Sequence, residues 1–212
     1  SNSFNPARDM IAADPELSAM FNVSEHTRTI THLGTNAKLK VIAAESEALA
    51  GIKASYILVD ELWLFGKRAN AGSMLREATG GLASRPEGFV IYLTTMPDEP
   101  PTGAMKQKLD YARGVRDGKI DDPQFLALLY EFPQKYLDDE LYLKQTNWYI
   151  TNPNMGASVN EKYIEREFKK AADEGKEELQ DFTAKHLNVQ IGVSMRANRW
   201  AASEFWEKAA AP

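Results

Sequence analysis

Short apolar runs alternating with amphipathic stretches fill the chain as far as Pro133. Tyr56-Ile57-Leu58-Val59 is apolar without interruption, the pattern of a strand buried on both faces of a parallel sheet. Phe89–Leu93 (FVIYL) is a second run of this kind, and Phe125–Phe132 (FLALLYEF) is a third strand candidate. Between them, Asn70–Leu82 places Met74, Leu75, Ala78 and Leu82 near helical spacing and stops at Gly80-Gly81. A helix capped by Thr102 and running through Val115 puts Met105, Leu109 and Ala112 on one face. Strands and helices in alternation predict an α/β core, a mostly parallel sheet flanked by helices.

Ahead of this core, Asp14-Pro15 is a helix start, and Leu17, Met20 and Phe21 give that helix an apolar side. Thr27–Leu33 and Lys38–Ala44 read as two strands of a hairpin turning at Gly34-Thr35-Asn36. Residues 46–51 then form a loop or short helix. Beyond Pro133 the pattern becomes helical, over Tyr136–Ile150, Ser158–Asp173 and Glu178–Leu187. Ser158 and Glu161 stand at capping-box spacing, with Val159, Tyr163, Ile164 and Phe168 as the apolar face. From Asn188 the pattern weakens, although Trp200, Phe205 and Trp206 are apolar. The expected divisions are 4–133 for the α/β core, 134–199 for a helical subdomain and 200–212 for the start of a linker.

The candidate chemistry sits where the first two core runs end. Tyr56–Val59 gives way to two adjacent acids, Asp60 and Glu61. Open α/β sheets bind ligands at the carboxyl ends of their strands, and carboxylates buried there need a partner or a metal. In nucleotide hydrolases such a pair divides the work: the first acid holds Mg²⁺ and the second orients or deprotonates the attacking water. This is the Walker B pattern, with Asp60 as metal residue and Glu61 as catalytic residue. A strand ending in a solvated turn, its acids capping the next segment, accounts for the same letters. Phe89–Leu93 ends in Thr94-Thr95, hydroxyls that suit a γ-phosphate or lytic water or simply cap the following loop.

Composition narrows the class. The 212 residues are 43% hydrophobic and 26% charged, enough for one globular domain with an appendage. The absence of cysteine excludes disulfides and thiolate metal sites, and the three histidines lack zinc-ligand spacing. A formal charge of −5 gives no global basic field, so any nucleic-acid contact needs local basic patches. No apolar stretch reaches membrane-span length and there is no signal-peptide pattern. Ser1-Asn2-Ser3 reads as the remnant of a cleaved tag, and the expectation that goes with it is a piece cut from a longer protein.

Four blocks in order resemble the large terminase subunit of tailed bacteriophages, the ATPase that packages DNA into the capsid. They are YILVDELW (56–63), then Arg85-Pro86 before FVIYLTTMP (89–97), then TNPNMGASVNEKYIEREFKKA (151–171), and finally HLNV (186–189) followed by Arg199-Trp200 and Trp206. The last two are the specific ones, since helicases share the first two. Asn152-Pro153-Asn154 is, physically, a helix-terminating turn. The resemblance implies that Asp60 coordinates Mg²⁺ with ATP, that Glu61 is the catalytic carboxylate and that Thr94 and Thr95 couple hydrolysis to DNA movement. It also implies a homo-oligomeric ring acting on double-stranded DNA with a portal protein and a small terminase subunit. The setting would be the host bacterial cytoplasm, with no membrane, for a phage or prophage protein.

The chain departs from that family in lacking any G-x-x-x-x-G-K-S/T, the P-loop whose backbone and lysine hold the β- and γ-phosphates. The expectation is a partial P-loop NTPase, with the P-loop upstream in the parent and a nuclease domain downstream. Such a fragment binds ATP weakly or not at all, and leaves a sheet edge and an apolar face uncovered. Arg85 and Lys53, each just ahead of a motif strand, are candidate phosphate-facing cations, with surface charge the plainer account of each; Arg68 and Arg76 are weaker. Two other readings stand beside this one. One is a helicase-like P-loop ATPase fragment, against which the downstream blocks argue. The other is a non-catalytic interaction module in which Asp60 and Glu61 are structural.

Overall fold

The computed structural model describes residues 3–42, 54–68 and 70–192. Ala43, Ala44, residues 46–51, Lys53, Arg199, Trp200, Phe205 and Trp206, which carried expectations above, lie outside the described residues. The chain divides into two compact units, Ser1–Ile52 and Lys53–Pro212.

In the first unit, α1 (Phe4–Ala13) buries Phe4 and ends at Asp14, which takes the extended backbone that a following proline imposes. The Asp14 carboxylate accepts from Glu16 N (2.8 Å) and Leu17 N (3.2 Å), so α2 (Pro15–Met20) starts as the Asp-Pro pair predicts. Phe21 does not join that helix; it opens β1 (Phe21–Ser24). β1, β2 (Thr29–His32) and β3 (Lys38–Lys40) form an antiparallel sheet in that order, with Phe21 opposite His32 and Thr29 opposite Lys40. The hairpin joining β2 to β3 turns through Asn36 at φ 57°, with Thr35 N donating to His32 Nδ1 at 3.1 Å. β2 is shorter than expected because Arg28, at φ 49°, belongs to the preceding turn.

In the second unit, β4 (Tyr56–Val59) and β5 (Phe89–Tyr92) pair in parallel, Tyr56 opposite Phe89 and Val59 opposite Tyr92. They form the parallel sheet among the described residues, so the architecture is α/β with a small parallel sheet rather than an extended one. The strands are not buried on both faces. Tyr56, Leu58, Phe89, Ile91 and Leu93 point to an open face, Leu58 being 62% exposed, while Ile57, Val59, Val90 and Tyr92 are half-buried. Residues 125–132 also differ from expectation. They alternate as a strand should, with Leu126, Leu128 and Tyr130 exposed, but form no ladder, because no described strand lies alongside to supply the bonds.

Three helices accompany the parallel pair: α3 (Leu62–Gly66), α4 (Ala71–Gly80) and α5 (Gly103–Arg116). α4 buries Met74, Leu75 and Ala78 as its periodicity predicts, while Leu82 falls in the 3-10 turn Gly81–Ser84. Thr102 occupies the cap position of α5 without a side-chain capping bond. α3 lies close against the start of α5 because Gly66 has no side chain: a Cβ there would meet Met105 N at 3.0 Å.

The expected helix over 136–150 is broken. α6 (Gln134–Asp138) ends in carboxylates at Asp138 and Asp139, unfavourable at the negative end of a helix dipole. Glu140 then turns left-handed at φ 53°, and the chain continues as 3-10 turns at Leu141–Leu143 and Gln145–Ile150. α7 (Glu161–Glu174) is capped by Asn160, whose carboxamide accepts from Tyr163 N at 3.2 Å, not by Ser158. Ile164 and Phe168 face the core as expected, but Tyr163 turns to solvent beneath the Arg166 guanidinium. α8 (Lys176–Leu187) completes the helical pair. Trp148, 1% exposed, centres this core; its ring lies 5.1 Å from Phe168 and 6.2 Å from Phe182. No described helix is long and apolar enough to cross a membrane.

Side chains hold the unpaired segment. Arg113 of α5 donates to Glu131 through Nη2 (2.6 Å) and Nε (3.1 Å) and to Gln190 Oε1 through Nη1 (2.8 Å), and Arg116 also pairs with Glu131. Burial alone would raise the Glu131 carboxyl, but the two guanidiniums outweigh it and hold the group below its ordinary range. A depressed carboxylate adds stability that is complete above its unfolded value and lost as pH falls through the folded one. Glu131→Gln is therefore expected to lower the urea midpoint at neutral pH. The gap to wild type should narrow as pH falls below the ordinary glutamate range and through the lowered folded value. A gap that stays constant with pH would exclude the ion pairs as its cause.

Candidate functional site

Parallel pairing in register brings the carboxyl ends of β4 and β5 to one edge, so the acids after Val59 and the threonines after Leu93 become neighbours. The backbone stitches the two ends together: Leu93 N donates to Val59 O (2.9 Å) and Leu62 N to Leu93 O (3.1 Å). Trp63 N donates to Thr94 Oγ1 (3.1 Å), whose own proton goes to Thr95 O (3.0 Å). Thr94 thus caps a helix start, but that of α3 after β4 rather than the loop after β5. Glu61, at the cap position of α3, makes no capping bond with its side chain.

Glu61 is instead turned outward. Its backbone is left-handed, φ 52° and ψ 54°, uncommon for a residue with a side chain. Its Oε2 accepts from Trp63 Nε1 at 2.5 Å, which fixes the carboxylate's direction. Asp60 accepts from Glu61 N through Oδ1 at 3.1 Å. Both carboxylates are exposed at the sheet edge. Among the described residues no three His, Cys, Asp or Glu side chains cluster as a metal site. A lone exposed carboxylate fits Mg²⁺ that arrives on a nucleotide, since this ion keeps several waters and takes one or two carboxylates plus phosphate oxygens.

Asp60, Glu61, Thr94 and Thr95 are therefore brought together. Arg85 is not. It precedes β5, and its Nη1 reaches Ala54 O (3.5 Å) at the opposite, amino-terminal end of the sheet. Four strand residues separate that end from the acids, about 13 Å of rise. Lys53 lies outside the described residues. Among the described residues, cations on the acids' side include Lys67, whose Nζ sits 5.0 Å from the Trp63 ring centre and 3.8 Å from Asp98 Oδ1, and Lys108, whose Nζ sits 4.9 Å from the ring centre of Tyr92 at the end of β5. Trp63 closes the YILVDELW block without an assigned role and Lys67 belongs to no motif; their signal is position, on and just past the short helix directly after the acid pair. Asn188 is a third residue with a part here, since its Oδ1 accepts from Met96 N (3.2 Å) just past the threonines.

No protein-family model matches the chain, and no curated protein sequence matches it. In three dimensions it is similar to the crystal structure of the HK97 bacteriophage large terminase, with a TM-score of 0.70 at 21% identity. The match covers 90% of this chain and 39% of that one. The fold is therefore that of this phage large terminase over most of the chain, and the chain spans about two fifths of the length of the solved protein.

Proposed function

We propose that this chain is the Walker B and coupling-motif portion of a DNA-packaging terminase large subunit. The parent hydrolyses ATP to translocate double-stranded DNA into a capsid, as a homo-oligomeric ring with portal and small-subunit partners in the host bacterial cytoplasm. Its endonuclease resides in a further domain. The observation that carries this reading is the joining of Asp60-Glu61 to Thr94 through Trp63 N, at the carboxyl edge of parallel strands, within the HK97-like fold.

Mg²⁺ on the nucleotide supplies charge neutralisation of the phosphates. Asp60, at the strand end, would hold that ion. Glu61, aimed by Trp63, accepts the proton of the attacking water. The Thr94 hydroxyl, already shared between Trp63 N and Thr95 O, registers the change and passes it to the following loop. The open apolar faces of β4, β5 and residues 125–132 favour a P-loop strand and its covering helix, supplied by another part of a P-loop NTPase parent.

The test is to express the natural reading frame that carries this chain and assay it. The expected result is a P-loop upstream, spaced aspartates downstream, and Mg²⁺-dependent ATPase activity stimulated by double-stranded DNA. The absence of G-x-x-x-x-G-K-S/T from these residues favours one other reading, the non-catalytic interaction module. A natural product with no P-loop and no ATP binding would establish that alternative and sink the ATPase assignment.

A further inference from the structure

We propose that Asn188 is a positioning residue that ties the loop after β5 to the helical pair α7 and α8, so that this loop and the pair move together. The functional half of the proposal rests on the ATPase reading above. Asn188 follows α8 and takes a left-handed backbone, φ 52° and ψ 29°, the conformation in which asparagine commonly ends a helix. The turn is closed by Val189 N donating to Thr183 O at 3.0 Å. Leu187 and Val189, on either side, are buried to within 2% of full burial, so the backbone between them is fixed and the carboxamide is aimed.

That carboxamide uses both of its ends on distant backbone. Oδ1 accepts from Met96 N at 3.2 Å, and Nδ2 donates to Tyr130 O at 3.1 Å. Neighbouring bonds pin the same stretch: Asn152 Nδ2 donates to His186 O (2.9 Å), and Arg113 Nη1 to Gln190 Oε1 (2.8 Å). On the other side, Met96 is adjacent to Thr95, whose carbonyl accepts the Thr94 proton, while Thr94 Oγ1 accepts from Trp63 N and Trp63 Nε1 donates to the Glu61 carboxylate. An unbroken series of contacts thus runs from Glu61 to the end of α8.

The experiment uses the protein of the natural reading frame and two variants. Asn188→Gly keeps the left-handed backbone without steric cost and deletes both amide groups. Asn188→Asp keeps the acceptor for Met96 N and loses the donor to Tyr130 O. With Asn188→Gly, hydrogen exchange at the Met96 amide is expected to rise about tenfold, the scale of one lost hydrogen bond, while α7 and α8 keep their protection. ATP turnover should fall by about the same factor with KM for ATP unchanged. Adding Thr94→Val should cost less than the product of the two single losses, because both changes break one series. Asn188→Asp should keep Met96 protected and recover most of the turnover.

Unchanged Met96 exchange in Asn188→Gly overturns the proposal. So does a multiplicative loss in the double variant, or an Asn188→Asp protein whose Met96 exchanges as fast as in Asn188→Gly. A wild-type protein that hydrolyses no ATP overturns the ATPase reading instead, and Met96 exchange still decides whether the tie exists.

Discussion

Glu61→Gln, made in the protein of the natural reading frame, is expected to lower ATP turnover by about 10²–10⁴-fold while leaving nucleotide affinity nearly unchanged. The substitution is isosteric. An amide oxygen at the same place still accepts from Trp63 Nε1, so the side chain keeps its direction and loses only its ability to take a proton. Steady-state kinetics with a direct nucleotide-binding titration separate the two effects. Intact turnover in this variant would remove Glu61 from the chemistry and favour the interaction-module reading. A companion change sharpens the point. Glu61 occupies a left-handed backbone that costs a residue with a side chain about 1 kcal/mol, a cost glycine does not bear. Glu61→Gly is therefore expected to raise stability by about that amount and to abolish turnover. A stabilised but inactive variant would show that the strain at Glu61 is kept for function.

The acid pair and the threonine pair were legible because each depends only on a local pattern, an apolar run followed by polar residues. Parallel pairing then places both at one edge, a consequence of strand direction alone. The same rule would have excluded Arg85, which precedes its strand and so sits at the other end. What the letters do not carry is partnership across the chain. Phe21–Ser24 became a strand because Thr29–His32 lies beside it, whereas residues 125–132, with a better strand pattern, formed no ladder for want of a neighbour. Helical spacing over 136–150 was real in its apolar positions. It could not register that Asp138 and Asp139 end the first turns unfavourably and that Glu140 reverses the backbone. Asn188 marked only the point from which the sequence pattern weakens. Its hold on Met96 and Tyr130 spans separations of 92 and 58 residues, beyond any local pattern.

Trp148→Ala is expected to destabilise the second unit by about 3–5 kcal/mol, enough to threaten its folding at a typical domain stability. Trp148 is 1% exposed and packs on both Phe168 of α7 and Phe182 of α8, which also meet each other at 5.6 Å, so truncation removes one side of this three-ring cluster. It also strands a buried carbonyl, since Trp148 Nε1 donates to Tyr142 O at 2.9 Å, and an unsatisfied buried acceptor adds to the cavity cost. The control is its neighbour Tyr149, 61% exposed, whose change to alanine should stay within about 0.5 kcal/mol. Urea unfolding followed by aromatic fluorescence and by far-ultraviolet circular dichroism would compare the two. A small effect of Trp148→Ala would mean that α7 and α8 dock independently of this ring. A large one carries a further consequence. Val189 belongs to the same buried cluster and adjoins Asn188, so loosening that cluster should also release Met96. Met96 exchange in Trp148→Ala would then rise together with that of α7 and α8, whereas in Asn188→Gly it rises alone. That difference separates a core that holds the helices together from a single side chain that ties them to the candidate site.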